Sequence, residues 1–329
     1  MQAWLLDRFA GVEALRLANV AEPDAGPGEV VLQIHYAALN PADRYLAERQ
    51  YPARPSLPHI LGRDGIGTVV RLGPGVSGIA IGDRRVILRG EIGVVRPGSF
   101  AQRVAVPVQN LAEIPSGWDD REAAAAPLVY LTAYQALSMW GPLAAGAPVL
   151  ITGASGGVGV AAVQLAHALG HEVLALSRSQ EKCERLRQMG AAACFDPLDP
   201  AWLQDLKHTI APRRVGLAID NVGGLLLPEV IDVLGDQGKV SLVGRLAGPV
   251  PSFNTATLFF RRIRMGGVAV GAYTPAEAHA AWQDVLSLLG RTNARPLIDS
   301  VVPFERLPDG FARLAEGPMG KVLLAVEDS

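Results

Sequence analysis

Residues 149–159, VLITGASGGVG, restrict the folds open to this chain more than any other stretch. A run of strand-forming residues ends in a glycine-rich turn, and a helix-forming run, VAAVQLAHAL, begins at once. The alternation then continues. Strands are predicted over 148–152, 172–177 (EVLALS), 193–196, 216–221 (GLAIDN) and 239–244 (KVSLVG), with helices over 158–169, 180–189, 200–210 and 225–234. Parallel neighbours need a crossover, and a helix is the usual one, so this series predicts an α/β fold with a doubly wound, Rossmann-type parallel sheet.

Within the turn, Ala154, Gly156 and Gly159 fall in the three small positions of a dinucleotide-binding loop. The first is expected to make the tight turn. The second lets backbone N–H groups, those of Ser155, Gly157 and Val158 among them, approach a pyrophosphate. The third lets the helix pack closely on the strand. The helix N-terminus adds partial positive charge beneath the phosphates. An NAD site places a carboxylate at the tip of the next strand to hold the ribose 2′-hydroxyl. Here that tip reads Leu176-Ser177-Arg178-Ser179, with Lys182 one turn later. A hydroxyl and two cations suit a 2′-phosphate, so NADPH is the expected coenzyme.

The remaining sequence has a different character. At about 150 residues per domain, 329 residues suggest two domains. Residues 1–118 read as strands and turns, with β-rich runs at 29–38, 67–72 and 84–88 and the turn-dense GPGVSGIAIGD between the last two. Glycine accounts for 36 residues, above the usual share of about 7%, as a turn-rich domain demands. The second domain is expected over 119–265, opening with the acidic start and apolar run DDREAAAAPLVYLTAYQAL. Residues 266–329 are expected to return and complete the first domain, with helices at 276–289 and 311–316 and strands at 297–304 and 321–326.

Several classes are disfavoured. A formal charge of −2 without basic runs argues against a nucleic-acid binder that neutralises phosphates. The uncharged stretch 123–171 is broken repeatedly by Gly and Pro and reads as a buried helix and strand, not a membrane span. Two cysteines, Cys183 and Cys194, in one region and outside any C-x-x-C pair argue against a disulfide framework and a four-ligand zinc site. The N-terminus, charged early, does not read as a signal peptide, and a cytoplasmic location is expected.

Together the motifs resemble the zinc-free quinone oxidoreductase (zeta-crystallin-like) branch of the medium-chain dehydrogenase/reductase superfamily. The resemblance rests on AALNPADRY at 37–45, LPHILGRDGIGTVVRLGPGV at 57–76, GDRRV at 82–86, EAAAAPLVYLTAY at 122–134, ITGASGGVGVAAVQLA at 151–166, DNVGG at 220–224, GKVSLVG at 238–244 and GKVLL at 320–324. It implies a GroES-like β-rich catalytic domain built from both chain ends, with the active site between it and the nucleotide domain. Zinc-dependent relatives place a Cys where this chain has Asn40 and a G-H-E motif where it has Gly62-Arg63-Asp64; without thiolate or imidazole there, no metal is expected. The implied activity is hydride transfer from NADPH to a quinone or activated α,β-unsaturated carbonyl. An enoyl-thioester reductase, with Arg261, Arg262 and Arg264 as a carrier patch, and an NADPH-binding scaffold are the alternatives.

The resemblance also supplies site residues. Asn40, Asp43, Tyr45 and Tyr51 match polar positions lining the substrate cleft; Asn40 and Tyr51 are candidate donors to a developing oxyanion, and Tyr51 a candidate proton donor. Tyr51 packed in the loop YPARPSLP, and Asn40 as a turn residue before Pro41, are the plainer readings. Arg63 is either a cation near that oxyanion or the partner of Asp64, Asp43 or Asp83. His35 and His59 are expected to be structural. Thr132, Asn221, Gly244, Arg245 and Val268 are implied contacts to the ribose or nicotinamide, and Lys321 to a coenzyme phosphate. Residues 265–272 are implied to pair with a second subunit, giving a homodimer.

Overall fold

The computed structural model describes residues 1–248 and 253–326. Along the chain run β1 (Gln2–Leu6), β2 (Leu15–Asn19), β3 (Glu29–Ala38), α1 (Pro41–Ala47), β4 (His59–Ile60), β5 (Asp64–Leu72), β6 (Arg84–Ile87), β7 (Arg103–Pro107), β8 (Leu111–Ala112) and α2 (Asp120–Ala125). There follow α3 (Pro127–Ser138), β9 (Pro148–Ile151), α4 (Gly157–Ala168), β10 (Glu172–Leu176), α5 (Gln180–Gln188), β11 (Ala191–Phe195), α6 (Trp202–Ile210), β12 (Val215–Asp220), α7 (Leu226–Val233), β13 (Leu234–Leu242), α8 (Ala256–Phe260) and β14 (Arg264–Gly267). The tail carries α9 (Pro275–Thr292), β15 (Ile298–Pro303), α10 (Leu307–Ala315) and β16 (Lys321–Ala325). The described residues form two compact units: 1–128, 271–282 and 296–326 make the first, and 129–248, 253–270 and 283–295 the second.

The first unit is built on a seven-stranded sheet of order β15-β16-β3-β5-β6-β8, with β7 also paired to β3. A smaller sheet, β2-β1-β4, lies beside it in sequence and shares its core. β16 joins β3 antiparallel, with Leu323 opposite Ala38 and Leu324 opposite Ala37, so the chain's end is an integral strand of this unit. Its apolar residues enter the same core: Phe304, Leu307, Phe311 and Val322 pack with Leu6, Val30, Leu32 and Phe100, and Phe311 meets the Phe100 ring edge-on at 6.0 Å. The helix expected to run on from 119 instead ends at Ala125 and restarts at Pro127, since proline cannot donate the hydrogen bond a continuous helix needs. Its first piece, α2, caps itself through a reciprocal Asp119–Glu122 capping box.

The second unit holds a six-stranded parallel sheet of order β11-β10-β9-β12-β13-β14. Strand order reverses between β9 and β12, the switch point at which ligands bind in sheets of this kind. Strands β9 and β10 are buried along almost their whole length, which explains their unbroken apolar runs. β14 ends at Gly267, because two consecutive glycines are poor strand formers, and a 3-10 turn begins at Val270, so only part of the segment 265–272 is strand.

One expectation is overturned. Cys183 and Cys194 form a disulfide that ties α5 to β11, their Cα atoms 5.5 Å apart. Spacing alone hid it, because the pairing depends on α5 folding back along the sheet. Loop-closure entropy for 11 residues of separation predicts that reduction, or Cys183→Ser, lowers the unfolding free energy by about 3 kcal/mol. Urea unfolding with and without dithiothreitol measures this, and coincident midpoints would show that the bond does not form in solution. Among the described residues, no helix is long and apolar enough to cross a membrane.

Candidate active site

In the second unit the phosphate loop forms as a strand–turn–helix, but the tight turn falls one residue earlier than expected. Gly153 adopts φ +56°, while Ala154 is buried and donates its N–H to Leu176 O at 3.1 Å. A left-handed residue is needed there, and glycine meets that need without strain. A Cβ on Gly159 would lie 2.3 Å from Gly153 O, so only glycine lets α4 seat against the turn. Gly156 is the N-cap, and the first helical bond runs from Val160 N–H to Gly156 O at 2.8 Å. The N–H groups of Gly157, Val158 and Gly159 precede that bond and have no partner inside the helix, which is what an anion requires.

The floor of this site is a network that the sequence alone did not reveal. Thr152 Oγ1 donates to Asp220 Oδ1 at 2.7 Å and accepts from Asn221 N–H at 3.0 Å. Asp220, fully buried, also accepts from Val222 N–H and Gly223 N–H, each at 3.1 Å. The signal was present in DNVGG: a carboxylate followed by two glycines, at φ +65° and +60°, forms a turn whose N–H groups point back at it. Asn221 donates to Thr152 O at 2.8 Å, yet its Oδ1 is buried with no partner among the described residues. Gly244 lies against it: a Cβ there would sit 2.7 Å from Asn221 O. Arg245, exposed, comes next, its backbone beside Gly223. Val268 is fastened by its N–H to Leu242 O at 2.9 Å, and Thr132 is half-buried on α3.

At the tip of β10, Ser177 is buried and bonded through its N–H to Phe195 O, and Ser179 caps α5 by accepting from Lys182 N–H at 3.4 Å. Arg178 is exposed and has no ion-pair partner among the described residues. An orphaned acceptor at Asn221, N–H groups without intrahelical partners at α4 and a cation at the end of β10 fit the hydroxyls, pyrophosphate and 2′-phosphate of NADPH.

The first unit gathers the other candidates. Asn40 and α1 come after β3, Arg63 and Asp64 precede and open β5, and Lys321 opens β16, so neighbouring strands bring these distant positions together. The open choice for Arg63 resolves on Asp43: Nε donates to Asp43 Oδ1 at 2.9 Å, and Nη2 to Ala42 O at 3.2 Å. Asp83 instead pairs with Arg85, and Asp64 with Lys321. Asp43 Oδ2 accepts from Asn40 N–H at 3.0 Å. Burial pushes the Asp43 carboxyl above its ordinary value, and the Arg63 guanidinium draws it back. Burial also works against the charged guanidinium, but Asp43 and Tyr51 outweigh it and hold Arg63 above its ordinary value.

Two expectations change here. Both Asn40 Nδ2 hydrogens are used, on Ala38 O at 3.1 Å and Asp64 Oδ2 at 2.9 Å, so Asn40 has no hydrogen for a substrate oxygen. Lys321 Nζ spends its three hydrogens on Leu39 O, Asn40 Oδ1 and Asp64 Oδ2, at 3.1, 2.7 and 3.3 Å, which leaves none for a coenzyme phosphate. Sheet register decided both, because β16 delivers Lys321 beside the end of β3. Tyr45 is half-buried on α1, and Tyr51 is half-buried with its ring 4.8 Å from the Arg63 guanidinium carbon. His35 is structural, bridging Asp120 and Thr68, each at 3.0 Å. His59 is buried, its pKa lowered first by that burial. Arg261 is committed to the carbonyls of Ile231, Asp232 and Leu234 at the end of α7, which takes one member from the expected basic patch. Among the described residues no group of three or more His, Cys, Asp or Glu side chains could hold a metal.

Comparison with known proteins places this architecture. Residues 26–116 match the alcohol dehydrogenase GroES-like domain, and residues 157–291 the zinc-binding dehydrogenase domain. The human synaptic vesicle membrane protein VAT-1 homolog is 30% identical over 350 residues, covering 98% of this chain and 86% of that protein. The quinone oxidoreductase of Lama guanicoe is 28% identical over 330 residues, covering 99% and 98%. A mycobacterial structure complexed with NADPH superposes with a TM-score of 0.89 at 25% identity, covering 99% of this chain and all of that one. Fold and site together define an NADPH-dependent oxidoreductase. The chain belongs to the medium-chain dehydrogenase/reductase superfamily, in its zinc-free, quinone oxidoreductase-like branch.

Proposed function

We propose that this enzyme reduces quinones or activated α,β-unsaturated carbonyl compounds. One observation carries the reading. Where zinc-dependent relatives hold a metal with histidine, Arg63 presents a guanidinium with no lone pair to give, locked on Asp43 at 2.9 Å. An acceptor that needs no metal at that position must already be electron-poor. When bound, NADPH supplies a hydride to such a carbon. The proton that completes the reduction must come from the protein or water. Asn40 cannot give it, since both amide hydrogens are committed. Tyr51 keeps a phenolic hydrogen on a half-buried ring, which supports its assignment as the donor to the carbonyl oxygen.

The test monitors loss of NADPH absorbance with benzoquinone, methyl vinyl ketone and crotonyl-CoA. Turnover of quinone or enone above crotonyl-CoA is expected, with Tyr51→Phe slowing enone reduction on the order of 100-fold. Preference for crotonyl-CoA would make this an enoyl-thioester reductase. Tight NADPH binding without turnover would make it a scaffold. A homodimer also belongs to this reading, because β14 ends the six-stranded sheet and offers an edge to a second copy. Light scattering is expected to return twice the chain mass, and a monomer at micromolar concentration removes the dimer.

A further inference from the structure

The geometry points to Arg63 as the positioning residue for Tyr51: its guanidinium, anchored on Asp43, holds the phenol ring and so sets where the hydroxyl stands. The inference rests on the reading of Tyr51 as proton donor. Its grounds lie in the first unit alone.

Tyr51 opens the segment 51–58, which contains neither helix nor strand. Backbone pairing therefore does not orient its ring. Arg54 Nη1 donates to the Tyr51 carbonyl oxygen, which restrains the main chain but touches no ring atom. The ring packs on the apolar core, which fixes its depth, and meets Arg63 with 4.8 Å between guanidinium carbon and ring centroid. Arg63 in turn is immobile. It is 9% exposed, held by Nε on Asp43 and by Nη2 on Ala42 O, and Asp43 is itself pinned by the Asn40 N–H.

Two chemical points favour placement over plain stability. First, a buried ion pair stabilises a fold no better than an apolar pair of the same size, so stability alone does not call for Arg63 and Asp43 here. Second, a guanidinium can only donate. Its contact with Tyr51 leaves the phenolic hydrogen uncommitted, whereas a carboxylate or amide oxygen in its place would accept that hydrogen. Arginine also offers a flat face for the ring while its edge holds the carboxylate, which lysine cannot do.

The test uses Arg63→Lys, which keeps the charge beside Asp43 and removes the flat face. With methyl vinyl ketone as acceptor, kcat is expected to fall about 10- to 100-fold while the KM for NADPH stays within twofold. In the Tyr51→Phe background the same substitution is expected to change kcat by less than twofold, because Arg63 acts through Tyr51. A purely structural role would lower kcat equally in both backgrounds, and that result, or full activity of Arg63→Lys, overturns the assignment. Should Arg63→Lys fail to fold, Asp43→Leu/Arg63→Met removes both charges together and is read in the same way.

A second readout does not depend on turnover. In protein labelled with 3-fluorotyrosine, the Tyr51 resonance is identified among six tyrosines by its absence in Tyr51→Phe. In Arg63→Lys, or the paired variant, it is expected to move toward the free amino acid position. If it moves while no acceptor is reduced even by the unaltered enzyme, the proposed function fails and the placement by Arg63 stands. If acceptors are reduced but the resonance keeps its position, Arg63 does not place Tyr51.

Discussion

Gly159→Ala abolishes NADPH binding at micromolar concentrations, with Kd rising at least about 100-fold, some 2.7 kcal/mol. The added Cβ would meet Gly153 O at 2.3 Å and the Ala154 Cα and carbonyl carbon at 2.6 Å. These are backbone atoms of a buried turn, so nothing can swing aside. Helix α4 must move off the turn, and the N–H groups of Gly157, Val158 and residue 159 move with it. The neighbouring Gly156→Ala is the control, because its Cβ would meet only Gly153 O at an ordinary 3.5 Å. Any loss of affinity there reports crowding of the ligand and not of the fold. Calorimetric titration with NADPH decides the matter. Affinity within threefold of the unaltered protein in Gly159→Ala would show that the close seat of α4 is not what binds the phosphates.

Lys321→Met lowers the unfolding free energy by about 3–5 kcal/mol, the cost of leaving a buried charge without its partner. Asp64 is 1% exposed and Lys321 4% exposed. Removing the ammonium takes a donor from Leu39 O and Asn40 Oδ1 and leaves the Asp64 carboxylate, among the described residues, with Asn40 Nδ2 and the Leu128 N–H. The paired substitution Asp64→Asn/Lys321→Met is expected to recover part of the loss, since no unpaired charge remains. Urea unfolding of the three proteins measures it. A loss below about 1 kcal/mol for Lys321→Met would mean that water reaches Asp64.

The two sites differed in how far they could be read in advance. The phosphate loop is a local feature: strand, turn and helix succeed one another within a short stretch, and the close-approach glycine at 159 was expected in its place. Only the turn slipped by a residue, from Ala154 to Gly153, because a strand's last residue cannot be told from a turn's first by composition. The catalytic candidates are not local. Residues 40, 63 and 321 were singled out by the family resemblance, but which hydrogen bonds they form depends on strands far apart in the chain. Asn40 therefore read as a donor to substrate, although its amide closes a knot with Asp64 and Lys321. The disulfide escaped for the same reason.

By itself the sequence determined the features that periodicity and local chemistry dictate: the parallel α/β sheet, the phosphate loop and the cations suited to a 2′-phosphate. Burial on one face and turn chemistry are written into neighbouring residues. The tertiary structure alone decided the partners: Arg63 on Asp43, Lys321 on Asn40 and Asp64, Cys183 on Cys194. Each pairing joins residues set side by side by strand register or helix docking, and those depend on the packing of the whole unit.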